Sequence, residues 1–165
     1  MIFVTVGTHE QQFNRLVKYI DELNLDEEVF IQTGYSDYIP KNCKYSQMIS
    51  AADMDKYCDE ARIVITHGGP GSIMKPLLLG KKPIVVPRQA KFDEHINDHQ
   101  VLFSTKLGDE NKVFTILDIE ELGNLIKNYD ELVKDEKVKF VSNNKKFNED
   151  FSKIVDDLFK KKRGE

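Results

Sequence analysis

The chain has 165 residues, with 24 lysines and arginines against 28 aspartates and glutamates and a net charge of −4. That length fits one domain with a real core, and the acidic balance excludes a general nucleic-acid binder. Two cysteines, in no Cys-x-x-Cys pair and no metal-ligand cluster, exclude a disulfide scaffold and fit a reducing cytosol. No basic segment precedes the first apolar run, so no signal peptide is expected. No apolar stretch approaches the ~20 residues that span a bilayer, so membrane association is expected only through a partner or the surface.

Ile2 to Val6 is β-branched and aromatic and stops at Gly7, which predicts a strand. Gly7-Thr8-His9-Glu10 is the loop after it. Phe13, Leu16, Val17, Ile20 and Leu23 then recur at helical spacing. Glu28 to Thr33 predicts a second strand. Tyr35 to Ser50 is irregular, with a short strand near Lys44-Tyr45-Ser46. Met54 to Ala61 predicts a short helix whose Tyr57 and Cys58 serve packing.

Arg62 to Thr66 is a short β-branched run, as a buried parallel strand should be. His67-Gly68-Gly69-Pro70-Gly71-Ser72 follows where the chain leaves that strand's carboxyl end. Glycines there allow close approach of a ligand to the backbone, and the amides opening the next helix favour an anion. A diphosphate fits such a turn; so does a plain tight turn whose glycines serve only geometry. There is no Gly-x-Gly-x-x-Gly fingerprint and no Walker ending. Ile73 to Leu79 predicts a helix ending at Gly80 and bent by Pro76.

Pro83 to Val86 predicts the next strand. Arg88 follows at its ligand side, with a planar fork suited to a phosphate or to a surface salt bridge. The run Phe92 to Gln100 is polar and opens a helix continuing through Val101, Leu102 and Phe103. Asn97, Asp98 and Gln100 carry the two-way hydrogen bonding that sugar hydroxyls require. His95, Asp98 and His99 meet no strict metal-ligand spacing, and no metal is expected. Val113 to Ile116 predicts a last strand. Asp118 with Glu121 makes a capping-box pattern before a helix carrying Ile119, Leu122, Leu125, Ile126, Tyr129 and Val133. Asp135 to Asn144 reads as a loop or frayed helix. The chain closes on an amphipathic helix with Phe147, Phe151, Ile154, Val155, Leu158 and Phe159 on one stripe and Lys160-Lys161-Lys162-Arg163 at its end. Strands alternating with helices make this an α/β chain with a parallel, Rossmann-like sheet over residues 1–144. Residues 145–165 form a closing helix for packing or partner docking.

Met1-Ile2-Phe3-Val4-Thr5-Val6-Gly7-Thr8-His9-Glu10, His67-Gly68-Gly69-Pro70-Gly71-Ser72 and Asn97-Asp98-His99-Gln100, taken together, resemble the donor half of GT-B glycosyltransferases related to family 28. The likeness runs over Met1 to Phe103 and is strongest to the small subunits of two-part enzymes, eukaryotic and bacterial. It implies a UDP-sugar donor, with no further cofactor. It implies inverting transfer of a hexose, galactose favoured, to a lipid-linked saccharide in capsular or exopolysaccharide synthesis. The acceptor would be held by a membrane-anchored partner subunit that recruits this cytoplasmic chain to the inner membrane face. Gly7, Thr8, His67, Gly68, Gly69, Gly71, Ser72, Arg88, Asn97, Asp98 and Gln100 are the implied substrate-binding residues. His9 is the best candidate here for a catalytic role. Many relatives carry a ribose-binding glutamate where this chain has Lys75, which cannot accept those hydrogen bonds. A non-catalytic nucleotide-sugar-binding module is the alternative expectation.

Overall fold

In the computed structural model, residues 1–134, 146 and 148–153 are described. Six strands form one sheet: β1 Ile2–Thr5, β2 Val29–Gln32, β3 Lys44–Ser46, β4 Ile63–Thr66, β5 Ile84–Val85 and β6 Phe114–Thr115. Over residues 1–134 five α-helices follow strands, with none between β2 and β3: α1 Asn14–Glu22, α2 Ala51–Glu60, α3 Pro70–Leu78, α4 His99–Asp109 and α5 Leu122–Val133. Every pairing is parallel and the order is β3-β2-β1-β4-β5-β6. The order reverses direction between β1 and β4, the point where such sheets open a crevice for ligands.

The expected parallel α/β architecture is present. Ile2, Val4, Ile31, Ile63 and Ile65 pack one face of the sheet against α1 and α5 through Leu16, Val17, Ile20, Leu122 and Ile126. Phe3 and Val64 turn to the other face, against Cys58 and Ala61. There Tyr57 stacks on Phe30 with centroids 4.2 Å apart, confirming its packing role. Ile73 and Leu77 of α3 meet Val85 and Val113 beside them. Across the strands, side chains align in rows. One row reads Tyr45, Ile31, Val4, Ile65, Ile84 and Phe114, all apolar; the next, at the carboxyl ends, reads Ser46, Gln32, Thr5, Thr66, Val85 and Thr115.

Several boundaries differ from expectation, each for a local reason. α3 begins at Pro70 rather than Ile73, because a proline at the first helical position loses no useful N–H and arrives with helical φ. Pro76 lies inside it, and the helix ends in a Schellman turn. Gly80, at φ +74°, donates to Leu77 O (3.0 Å), and the Lys81 amide donates to Pro76 O (2.9 Å). α2 starts at Ala51 because the Ser50 hydroxyl accepts from the Asp53 amide at 3.0 Å. Phe92 to Gln100 does not open a helix at its start. A 3-10 turn at Ala90–Phe92 precedes a bend at Asp93 (φ +55°), and α4 begins only at His99. The Asp118 cap serves a 3-10 turn at Ile119–Glu121, and α5 follows from Leu122. Of the expected final helix, residues 146 and 148–153 are helical and Phe151 is exposed. Phe147, residues 154–163 with the basic end, and the expected loop 135–144 lie outside the described residues.

Candidate functional site

A cleft of about 320 Å³ opens over the carboxyl ends of β1, β2 and β4. Gly7, Thr8, His67, Gly69, Gly71 and Ser72 line one side; Met48, Ile49 and Met54 line the other, with Gln32 between. The polar side is the amino end of α3. The amides of Gly69 and Gly71 have no acceptor among the described residues, and the helix dipole adds partial positive charge there. The Gln32 carboxamide fixes the first loop. Its Oε1 accepts from the Gly7 amide (3.1 Å) and the Thr5 hydroxyl (2.7 Å), and its Nε2 donates to Gly7 O at 2.9 Å. That bracket holds Gly7 at φ +78°, a conformation glycine adopts without strain.

His67 is 9% exposed. Its imidazole lies between Gly7 and Gly69, where a methyl on either glycine would fall inside contact distance of the ring. The glycines therefore make room for a side chain as well as for a ligand. Burial, with the Arg88 charge nearby, lowers the His67 pKa to about 4, so the ring is neutral at physiological pH. Its Nδ1 is buried without a partner.

His9, expected to be catalytic, is exposed next to Thr8 but does not itself line the cleft; its ring lies 4.8 Å from that of His95, which in turn meets His99 edge-on at 4.5 Å. His9 Nδ1 accepts from the Gln11 amide at 3.3 Å, and His95 Nδ1 accepts from the Asn97 amide at 3.4 Å. In the neutral rings the proton then sits on Nε2, so both present donors. Burial, then His99, His9 and Arg88, lowers the His95 pKa. No group of three or more metal-ligating side chains is arranged to hold a metal among the described residues.

Five expected ligand contacts are relocated. Arg88 is fully buried and offers no fork to a phosphate. Its Nη1 donates to the carbonyls of Gln11, Gln12 and Glu94 (2.9, 2.8 and 3.1 Å) and its Nη2 to Val6 O at 2.9 Å. Gln100 is also buried; its Oε1 accepts from the Gly68 and Arg88 amides at 3.1 and 3.2 Å. Gly68 is glycine because a Cβ would approach Gln100 Cβ to 2.6 Å, not because a ligand passes there. Asp98, exposed, accepts the Ala90 amide on Oδ1 at 2.8 Å. Asn97, exposed in the same loop, contacts His99 Nδ1 through Oδ1 at 2.5 Å. Neither Asn97 nor Asp98 lines the cleft. Lys75 pairs with Asp55 at 2.8 Å rather than with any part of the cleft.

Met48, Ile49, Met54 and Gln32 were not singled out by the sequence. The first two lie within an irregular segment with no periodicity. Gln32 is legible only in hindsight, as a polar residue closing an otherwise apolar strand.

Residues 1–158 match the family described as the glycosyltransferase family 28 C-terminal domain. Among solved structures, the chain is similar to the glycotransferase of kitacinnamycin, at 18% identity over 77% of this chain and 34% of that one, with a TM-score of 0.51. It is similar to MurG of Acinetobacter baumannii at 19% identity over 76% of this chain and 40% of that one, again with a TM-score of 0.51. The chain thus spans well under half the length of either protein, and at these identities the likeness is one of fold. No curated protein matches the chain.

Proposed function

Because the chain belongs to the glycosyltransferase family 28 C-terminal domain family, we propose that it is the donor-binding part of a glycosyltransferase using a UDP-sugar. The observation that carries this reading is the two-sided cleft. Free amides and the positive end of α3 face the neutral His67 ring and Ser72 on one side, and Met48, Ile49 and Met54 form an apolar wall on the other. A diphosphate suits the first side and a flat base the second.

We place transfer of a hexose, galactose favoured, onto a lipid-linked saccharide of capsule or exopolysaccharide synthesis at this cleft. An acceptor-binding partner at the inner membrane face supplies the rest. Among the described residues no helix is long and apolar enough to cross a membrane; membrane anchoring through that partner is part of the proposal. In inverting transfer the acceptor oxygen attacks the anomeric carbon, the bond from that carbon to the β-phosphate oxygen breaks, and the acceptor proton passes to a base. The His9 tautomer carries its proton on Nε2, so His9 suits donation to the departing phosphate better than proton removal. The base then belongs to the partner. A non-catalytic binding module is the second reading. It is favoured by Lys75, which pairs with Asp55 and stands where many relatives carry a ribose-binding glutamate.

Calorimetric titration with UDP, UDP-galactose, UDP-glucose and UDP-N-acetylglucosamine tests the proposal. Saturable UDP binding, weakened about fivefold to tenfold by Ser72→Ala through loss of one hydrogen bond, is expected, with one sugar preferred. A folded chain that ignores every nucleotide, alone and beside its partner, removes the donor assignment.

A further inference from the structure

We infer that Arg88 is a positioning residue: it fastens the loop after β1 to the loop after β5 so that the His9 and His95 rings stay in contact beside the cleft. The inference deepens the reading above and rests on it only for the consequence in sugar transfer.

The geometry is specific to a guanidinium. Four carbonyl oxygens converge on its two terminal nitrogens. Val6 is the last residue before the cleft glycine. Gln11 and Gln12 close the loop that carries His9, and Glu94 immediately precedes His95. The plane also packs on the Phe13 ring, with Cζ 4.8 Å from its centroid. Burial lowers the Arg88 pKa to about 10, the Glu94 charge offsets part of that cost, and Nε stays buried without a partner. The buried Glu94 carboxylate lies close by, itself fixed by two bonds from Arg15 (both 2.9 Å) and one from the Gln89 amide (3.0 Å). The Arg88 amide extends the same tie to a third loop, sharing Gln100 Oε1 with Gly68. A lysine keeps the charge but offers donors from a single point, so it cannot reach Val6 O and the other carbonyls together. One further hydrogen bond ties the two loops, from Gln12 Nε2 to Phe92 O at 3.3 Å, and it reaches neither Glu94 nor His95; among the described residues only the Arg88 fork links residues 6–12 to residues 94–95. His9 and His95 meet only through their rings.

The test uses the full chain and nuclear magnetic resonance of the histidine rings, with Arg88→Lys as the informative variant. In the wild type we expect cross-relaxation between the His9 and His95 rings and a single Nε2–H tautomer in each. We also expect slowly exchanging Arg88 Nη protons with contacts to residues 11, 12 and 94. In a folded Arg88→Lys chain the ring contact is lost and both rings become tautomer mixtures, while the amides of β1 and β4 stay in place. Where the variant does not fold, the wild-type Nη protons decide, and rapid exchange with no contact to residues 11, 12 or 94 overturns the inference. A ring contact that survives in folded Arg88→Lys also overturns it. With the partner present, Arg88→Lys is expected to lower kcat on the order of tenfold to a hundredfold, as misplacement of a reacting group does, with donor KM changed far less. His9→Ala should absorb most of that loss in a double-mutant cycle; full additivity counts against the inference. The ring measurements need no nucleotide, so failure of UDP to bind would sink the donor reading and leave this result standing.

Discussion

His67 shows how little freedom single residues have in this site. Its ring fills the space between two glycines, and Gly69, unlike Gly7, has an ordinary extended backbone with φ −75°. Gly69→Ala therefore introduces one steric conflict and no backbone strain. It should destabilise the chain by about 1–3 kcal/mol, as overpacking does, and weaken nucleotide binding. Adding His67→Ala should return most of the lost stability but not the binding. Chemical denaturation of the single and double variants reads both. At this scale the sequence showed which residue types gather at the cleft: Gly7, Thr8, His67, Gly69, Gly71 and Ser72 all line it. It misread Arg88 and Gln100, because a polar side chain just past a strand looks the same whether it faces a ligand or its own backbone. Only the folded chain, with Val6, Gln11 and Glu94 brought around one guanidinium, separates the two.

Elements were legible where a pattern had length and blurred where a cap decided. α1 carries its apolar stripe across nine residues and lies where the spacing put it. β5 and β6, with two residues each, are too short for periodicity to bound and are defined by their neighbours. α2 depended on a serine. Ser50→Ala removes the acceptor of the Asp53 amide and should cost about 1 kcal/mol. Because Met54 lies in the first turn of that helix and lines the cleft, the same change should loosen the apolar wall before it unfolds the chain. Amide exchange at residues 53–55 measures it; unchanged protection there would mean that the cap contributes nothing. The loop 93–98 was misread as a helix start for the complementary reason. The Glu94 and Asp98 carboxylates take amides from Gln89 and Ala90, bonds across the loop that no local periodicity announces.

For the molecule as a whole, burying His67 ties stability to pH. The folded pKa is about 4 and the unfolded value about 6.5. Between them the unfolded chain binds a proton that the folded chain refuses. Stability is therefore complete above about pH 6.5 and falls as pH drops towards 4, by an amount on the order of 3 kcal/mol over the window. Urea titrations at pH 7 and pH 5 should show the loss, and His67→Gln should flatten it. The parallel sheet itself was readable from the alternation of strands and helices. What the one-dimensional pattern conceals is the register that sets residues from distant parts of the chain side by side. The apolar row led by Tyr45 and Ile31 lies one step beneath the row of Ser46, Gln32, Thr5, Thr66, Val85 and Thr115. The border between scaffold and working surface is thus one residue deep and runs across the strands, not along the chain. Evolution or a protein engineer seeking a new ligand would redraw that single line of mostly polar residues and the loops above it, and leave the foundation untouched.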